Sequence, residues 1–337
     1  MTALTMPARP ERDATLRPVP WRRMVWVTWR QHRTALTAVA VFLGALAVYL
    51  WLTGLAIHHA YAADCHPASS AACTINFTGR YGITGNIVSI FLQAVPALIG
   101  AFAGAPVLAR ELETGTFRYA WTQGIGRWRW TLAKLVLLAV AVAAAAAAFS
   151  ALYSWYNQPF FAAGYTIPFA TRVFDLGQVA FPAWTLAAFA IGTLAGMLIR
   201  RVVPAIAATL AVYAALALAT ALWLRQHYMT PLLTSNLNLP GSAWSVNQWY
   251  TKGGKFAFPA HGSGIVSAIQ HYCPAPRPGG SGLSPAQCLS QHGYTQWTSY
   301  QPGSRFWPFQ WIEGGWLLAL SLLLIAVTVW LVRRRAT

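Results

Sequence analysis

Six stretches of this chain run apolar for roughly 20 residues or more, enough at about 1.5 Å per residue to cross about 30 Å of hydrocarbon. They cover residues 34–58, 86–109, 131–153, 177–199, 203–224 and 311–332. This pattern predicts an all-α integral membrane fold with six transmembrane helices. Charge content agrees: 56% of the 337 residues are hydrophobic and only 9% are charged. An ordinary globular domain carries about a quarter charged residues, so a water-facing surface cannot be covered here. The 17 Trp residues gather near predicted span ends and in loops, where amphipathic rings favour the headgroup region.

The formal net charge of +17 invites a nucleic-acid reading. That reading needs a basic stripe with base-stacking aromatics on one soluble face, whereas here the basic residues sit at the ends of apolar runs. Lys and Arg flank spans on the cytoplasmic side, so counting them in alternate segments gives an orientation. Seventeen fall in the N-terminal tail, the 110–135 segment, the Arg200–Arg201 turn and the C-terminus, and seven fall on the opposite side. Both termini are therefore expected inside. The first 33 residues carry seven arginines and no short apolar core before a small-residue cleavage site, so no cleavable signal peptide is expected. All four cysteines fall in segments placed outside, Cys65 with Cys73 and Cys273 with Cys288. An even pair in each outer loop predicts two local disulfides in an oxidising compartment.

The chain divides into a cytoplasmic tail (1–20), a basic helix over 21–33, spans one to five with an inner loop at 110–130 (34–224), an outer loop (225–310), and span six with a basic C-terminus (311–337). On the 21–33 helix, Arg22, Arg23, Arg30 and Arg33 fall on one side and Trp21, Met24, Val25, Thr28 and His32 on the other. Such a helix is predicted to lie on the anionic inner leaflet. The 225–310 loop is too long for a bare connection and is predicted to fold as a small cap stapled by Cys273 and Cys288. The aromatic, Pro- and Gly-bearing stretch 302–316 is expected to dip into the interface ahead of span six. Gly100 with Gly104, and Gly192 with Gly196, form GxxxG pairs whose expected role is close helix packing within the subunit.

Glu111, Glu113 and Glu313 are the acids expected in or near the bundle. Glu111 and Glu113 open the inner loop RELETGTFRYAWTQGIGRWRWTLAKL, in which Gly115 precedes a short predicted helix from about Thr116 to Gln123 bearing Phe117, Tyr119, Ala120 and Trp121. Gly124 and Gly126 then turn the chain toward Arg127, Arg129 and Lys134. An aromatic helix parallel to the membrane suits docking in a groove on a cytoplasmic partner, although an ordinary basic loop is the plainer reading.

Glu113, Gly115 and Thr116 just after a span, with Arg127 and Lys134 leading into the next, resemble the coupling region of type-2 ABC transporter permeases. WRQHR at 29–33 and LARELETGTFRYAWTQ at 108–123 are similar to a subgroup common in high-GC Gram-positive bacteria. The resemblance implies a multi-pass subunit of the bacterial plasma membrane. It implies that two permease domains, identical or related, pair with two ATPase subunits, and that the chain exports a drug, antibiotic or lipid. It also implies that Glu111, Glu113, Gly115, Thr116, Phe117, Tyr119, Trp121, Arg127 and Lys134 transmit nucleotide-driven closure.

The sequence itself lacks an ATPase. The one Gly-Lys pair, Gly254–Lys255, is followed by Phe256 and has Trp249 where a P-loop needs its first Gly. No cofactor is expected on this chain, ATP and magnesium being held by the partner. Asp64 with His58, His59 and His66 matches no defined metal spacing, so no metal site is expected. An ion-coupled carrier is disfavoured because no charged residue lies at the centre of a predicted span, Pro96 being the one central break. An intramembrane enzyme is disfavoured by the lack of HExxH or a nucleophile with a base. A non-transporting sensor or assembly factor remains compatible. Glu313, close to the outer end of span six, is a substrate or gate candidate, with solvation beside Arg305 as the alternative.

Overall fold

The computed structural model describes residues 21–65, 73–114, 127–236, 238–273 and 284–335. The first element is one helix of 44 residues, Trp21–Asp64, about 66 Å long at the standard rise. Residues 21–33, expected to lie along the membrane as a separate helix, are instead its first turns. Within this helix no Pro or Gly precedes Gly44, so nothing forces a break.

Six helical segments are apolar and long enough to span a bilayer: Thr37–Asp64, Ile75–Thr114, Thr131–Ala162, Ala180–Ile199, Val202–His227 and Gly303–Arg334. The second begins eleven residues earlier than its apolar run suggests, because Arg80, Gly82 and Asn86 dilute its first turns. Gly82 is needed there, since the Tyr165 ring occupies the space a Cβ would fill. The second span is also discontinuous. Helix Gly79–Leu92 ends in a turn at Gln93–Ala94, Val95–Ile99 restarts with Pro96 in its first turn, and a π-helical turn at Gly100–Gly104 leads into Ala105–Thr114. Pro has no N–H to continue the ladder, so it is accommodated where a helix begins.

The fourth span is the hub. It packs against the second, third, fifth and sixth, and 67% of its apolar stretch is buried, against 22% for the first span and 17% for the fifth. The predicted GxxxG pairs meet there. Gly104 lies against Phe189, where a Cβ would come within 2.7 Å of the carbonyl oxygen, and Gly192 and Gly196 face the backbone of Gly100 and Ala105. Packing within the subunit is thus their role.

Span six is a single helix Phe306–Arg335 preceded by a 3-10 turn at Gly303–Arg305, so most of the 302–316 stretch expected to re-enter the interface is regular helix. Pro308 falls in its first turn, where it costs no hydrogen bond. Among the described residues, the cap is the one departure from an all-helical fold. β1 (Leu232–Thr234), β2 (Trp244–Lys252), β3 (Lys255–Pro259) and β4 (Tyr294–Gln301) form an antiparallel sheet in the order β1-β4-β2-β3. Gly253 and Gly254, with φ of 58° and 78°, make the β2–β3 hairpin turn, a conformation that favours glycine at both positions. Helices Ser263–Tyr272 and Pro285–Gln291 cover the sheet and are joined by a Cys273–Cys288 disulfide. A second disulfide, Cys65–Cys73, ties the end of the first helix to the start of the second span.

Candidate functional site

At the end bearing residues 110–135, both glutamates tie spans together. Lys134 is fully buried, and its Nζ donates to Glu111 Oε1 at 2.6 Å and to the Val107 carbonyl at 3.0 Å. An ammonium in such a place needs a counter-charge and filled donor positions, so Glu111 and Lys134 lock the second span to the third. Glu113 Oε2 accepts the backbone N–H of Val202, the first residue of the fifth-span helix, at 3.1 Å. There the carboxylate satisfies an otherwise unbonded amide at the positive end of the helix dipole. Three spans therefore converge on residues 111–113, directly before the segment that joins spans two and three. Gly115, Thr116, Phe117, Tyr119 and Trp121 lie outside the described residues, and Arg127 begins the third-span helix with its side chain likewise outside them.

At the cap end, charges meet inside the protein. Glu313 is fully buried. Its Oε1 accepts from Arg225 Nη2 and Trp184 Nε1, both at 2.8 Å, and its Oε2 accepts from Arg225 Nε at 3.0 Å and Tyr228 OH at 3.2 Å. Arg225 Nη2 also bonds Asp175 Oδ1, and the guanidinium lies 4.3 Å from the centre of the Phe174 ring. One turn earlier on the sixth span, Gln310 Oε1 accepts from Ala180 N at 2.9 Å while its Nε2 donates to Phe174 O at 2.8 Å. Spans four, five and six and the segment before span four are thus joined by one polar cluster. Burial drives the Tyr228 hydroxyl to titrate well above its ordinary value.

Glu313 accordingly does not stand in water beside Arg305, which bonds the Thr230 carbonyl and Gln301 instead. Sequence reasoning missed its partners. Arg225 falls one residue past the apolar run and counts there as a loop charge, and Asp175 falls two residues before another. Their placement beside Glu313, at three span ends on one side of the membrane, was the available signal. Among the described residues, no three side chains come together as a metal site. His58 bonds the Trp155 carbonyl and stacks on its ring at 4.6 Å.

Residues 40–225 match the model of the ABC-2 membrane transporter related family. The chain belongs to that family. The match runs from span one through span five and includes the loop between spans two and three, while the cap and span six lie beyond it. No curated protein and no solved structure matches the chain significantly. As a member of the ABC-2 related family the protein is a multi-pass transporter permease.

Proposed function

We propose that the chain is the membrane-spanning subunit of an ATP-driven exporter in the bacterial plasma membrane, with both termini cytoplasmic. It forms the translocation pathway for a hydrophobic or amphipathic compound, and a separate ATPase subunit hydrolyses ATP. The family match carries this reading, because it includes the segment between spans two and three. The geometry at Glu111 and Glu113 supports it: a push on the loop that follows reaches the third span through Lys134 and the fifth through Val202. The low burial of spans one and five leaves apolar faces for a second permease subunit or for lipid.

Affinity capture of the tagged chain from its native membrane, where an ATPase subunit bearing Walker motifs is the expected companion, tests the partnership. Recovery without any nucleotide-hydrolysing subunit would remove it. Glu113→Lys is expected to bring coupled transport to background while insertion persists, whereas Glu113→Gln, which keeps an acceptor for the Val202 N–H, retains assembly. Normal transport by the lysine variant would end the coupling role. For topology, Arg118→Cys is expected to resist an impermeant maleimide applied to intact cells and to react once the membrane is opened. Labelling from outside would invert the orientation.

A further inference from the structure

The charges at the cap end do not cancel. Arg225 supplies one positive charge against two carboxylates, Asp175 and Glu313. Glu313 is closed off by four hydrogen bonds and full burial. The uncompensated charge therefore falls to Asp175, whose side chain is 25% exposed. Besides Arg225, the Asp175 carboxylate has, among the described residues, only a long 3.4 Å contact from Gln93 Nε2, at the weak edge of hydrogen bonding.

Asp175 faces a cavity of about 80 Å³ whose lining includes Gln93, Phe181, Trp184 and Tyr213. A water needs about 10–15 Å³ and a benzene-sized cavity is about 150 Å³, so the space suits a small head group rather than a whole apolar molecule. Three aromatic rings around one carboxylate match an organic cation, which gains from both the charge and the ring faces. The geometry points to this cavity as a binding site for a protonated amine, entered from the cap side past Gln93.

Gln93 also lines a second, open cavity of about 470 Å³ together with Ile90, Phe169, Thr171, Arg172 and Trp244. It is thus the partition between an outer vestibule and the inner cavity. It stands in the turn that breaks the second span, where its Nε2 also donates to the Thr171 carbonyl at 3.0 Å. Of the other charged groups, Arg225 and Glu313 face Asp175 from spans five and six, and Arg172 stands in the vestibule. Arg172 opposes an amine in the vestibule, so affinity resides in the inner cavity. Tyr213 and Tyr228 are the remaining titratable neighbours. Burial pushes the Asp175 carboxyl up to about 6, with Arg225 opposing and Glu313 adding to the shift. Amine affinity therefore rises with pH through about 6, as the carboxyl ionises, and levels off above it.

The site deepens the permease reading by giving the cargo a cationic group, but binding is read on the isolated chain without ATPase or transport. Butylammonium, titrated into the purified full chain in lipid nanodiscs and followed by tryptophan fluorescence, is expected to bind saturably. Butanol is expected not to bind. Asp175→Asn should weaken butylammonium at least about tenfold, and Tyr213→Leu, which leaves every ion pair intact, by about threefold. If the asparagine variant is not recovered folded, Tyr213→Leu and the pH profile decide. Equal binding of butanol, displacement by equimolar sodium, or unchanged affinity in the variants would overturn the proposal. So would absence of saturable butylammonium binding, and a companion ATPase recovered from the same preparation would then leave the permease reading standing.

Discussion

Replacing Arg225 with leucine is expected to strip most of the folded protein from detergent extracts, with the largest stability loss of any single surface-distant charge change in the bundle. Arg225 is 1% exposed, and its guanidinium is the counter-ion to both Glu313 and Asp175. Removing it leaves Glu313 fully buried with only Trp184 and Tyr228 as donors. Deleting one partner of a buried ion pair costs about 3–5 kcal/mol, because the surviving charge keeps its desolvation penalty. Glu313→Gln is expected to be far milder, since it leaves Arg225 neutralised by Asp175 and keeps an acceptor for Trp184. The double variant Arg225→Leu with Glu313→Leu should recover much of the loss, because Asp175 retains access to solvent. Thermal unfolding followed by size-exclusion recovery measures all three. A midpoint for Arg225→Leu equal to that of the parent chain would show that the cluster adds nothing to stability.

The apolar runs alone located the six spans, since each needs a sustained stretch and lipid tolerates little else. Their ends were legible only where the flanking sequence changed abruptly. Span four was placed at 177–199 and begins at Ala180, whereas span two, diluted by Arg80 and Asn86, was placed eleven residues late. The disulfide pairs were legible because each outer loop holds two cysteines and local pairing leaves no alternative within a loop. The sheet was not read, although β4 (YTQWTSYQ) shows alternating burial over part of its length and the Gly253–Gly254 turn was in plain view. Its strands are short and polar-aromatic, and so lack the sustained apolar stretch by which a span is recognised.

The site divides in the same way. Glu111, Glu113 and Lys134 stand out through the resemblance of their segment to a coupling region, but that resemblance does not reveal that Lys134 turns inward to Val107 or that Glu113 reaches Val202, 89 residues on. Those contacts depend on how helices pack, and packing is encoded in which small residues meet. The cap-end cluster was half read: Glu313 stood out as an acid near lipid, while Arg225 and Asp175 were hidden by falling just outside the stretches that defined the spans. A buried charge calls for a partner, and the charges at the other span ends on the same side, Arg225 and Asp175, are the ones that complete the triad.

Gly192→Leu is expected to be the most damaging substitution among the glycines of the helical core. A Cβ at Gly192 would collide with the carbonyl oxygen of Gly100 and sit 2.8 Å from the backbone nitrogen of Ala105. Both obstacles are main chain, so no side chain can rotate away and spans two and four must separate. Those spans form the centre of the bundle, and the Gly100–Gly104 π-helical turn that accommodates the contact lies within the clash. Inserting bulk into a well-packed core costs about 1–3 kcal/mol when neighbours can adjust, and more when they cannot. A loss at or beyond the top of that range is expected. Gly44→Leu on the first span is the matched control: nothing lies within 4 Å of its Cβ position, so its unfolding midpoint should stay near that of the parent. Because span two also carries the links at Glu111 and Glu113 to spans three and five, even Gly192→Leu molecules that insert should transport poorly. Equal midpoints for the two variants would mean that the close approach of these helices is not what holds the bundle together.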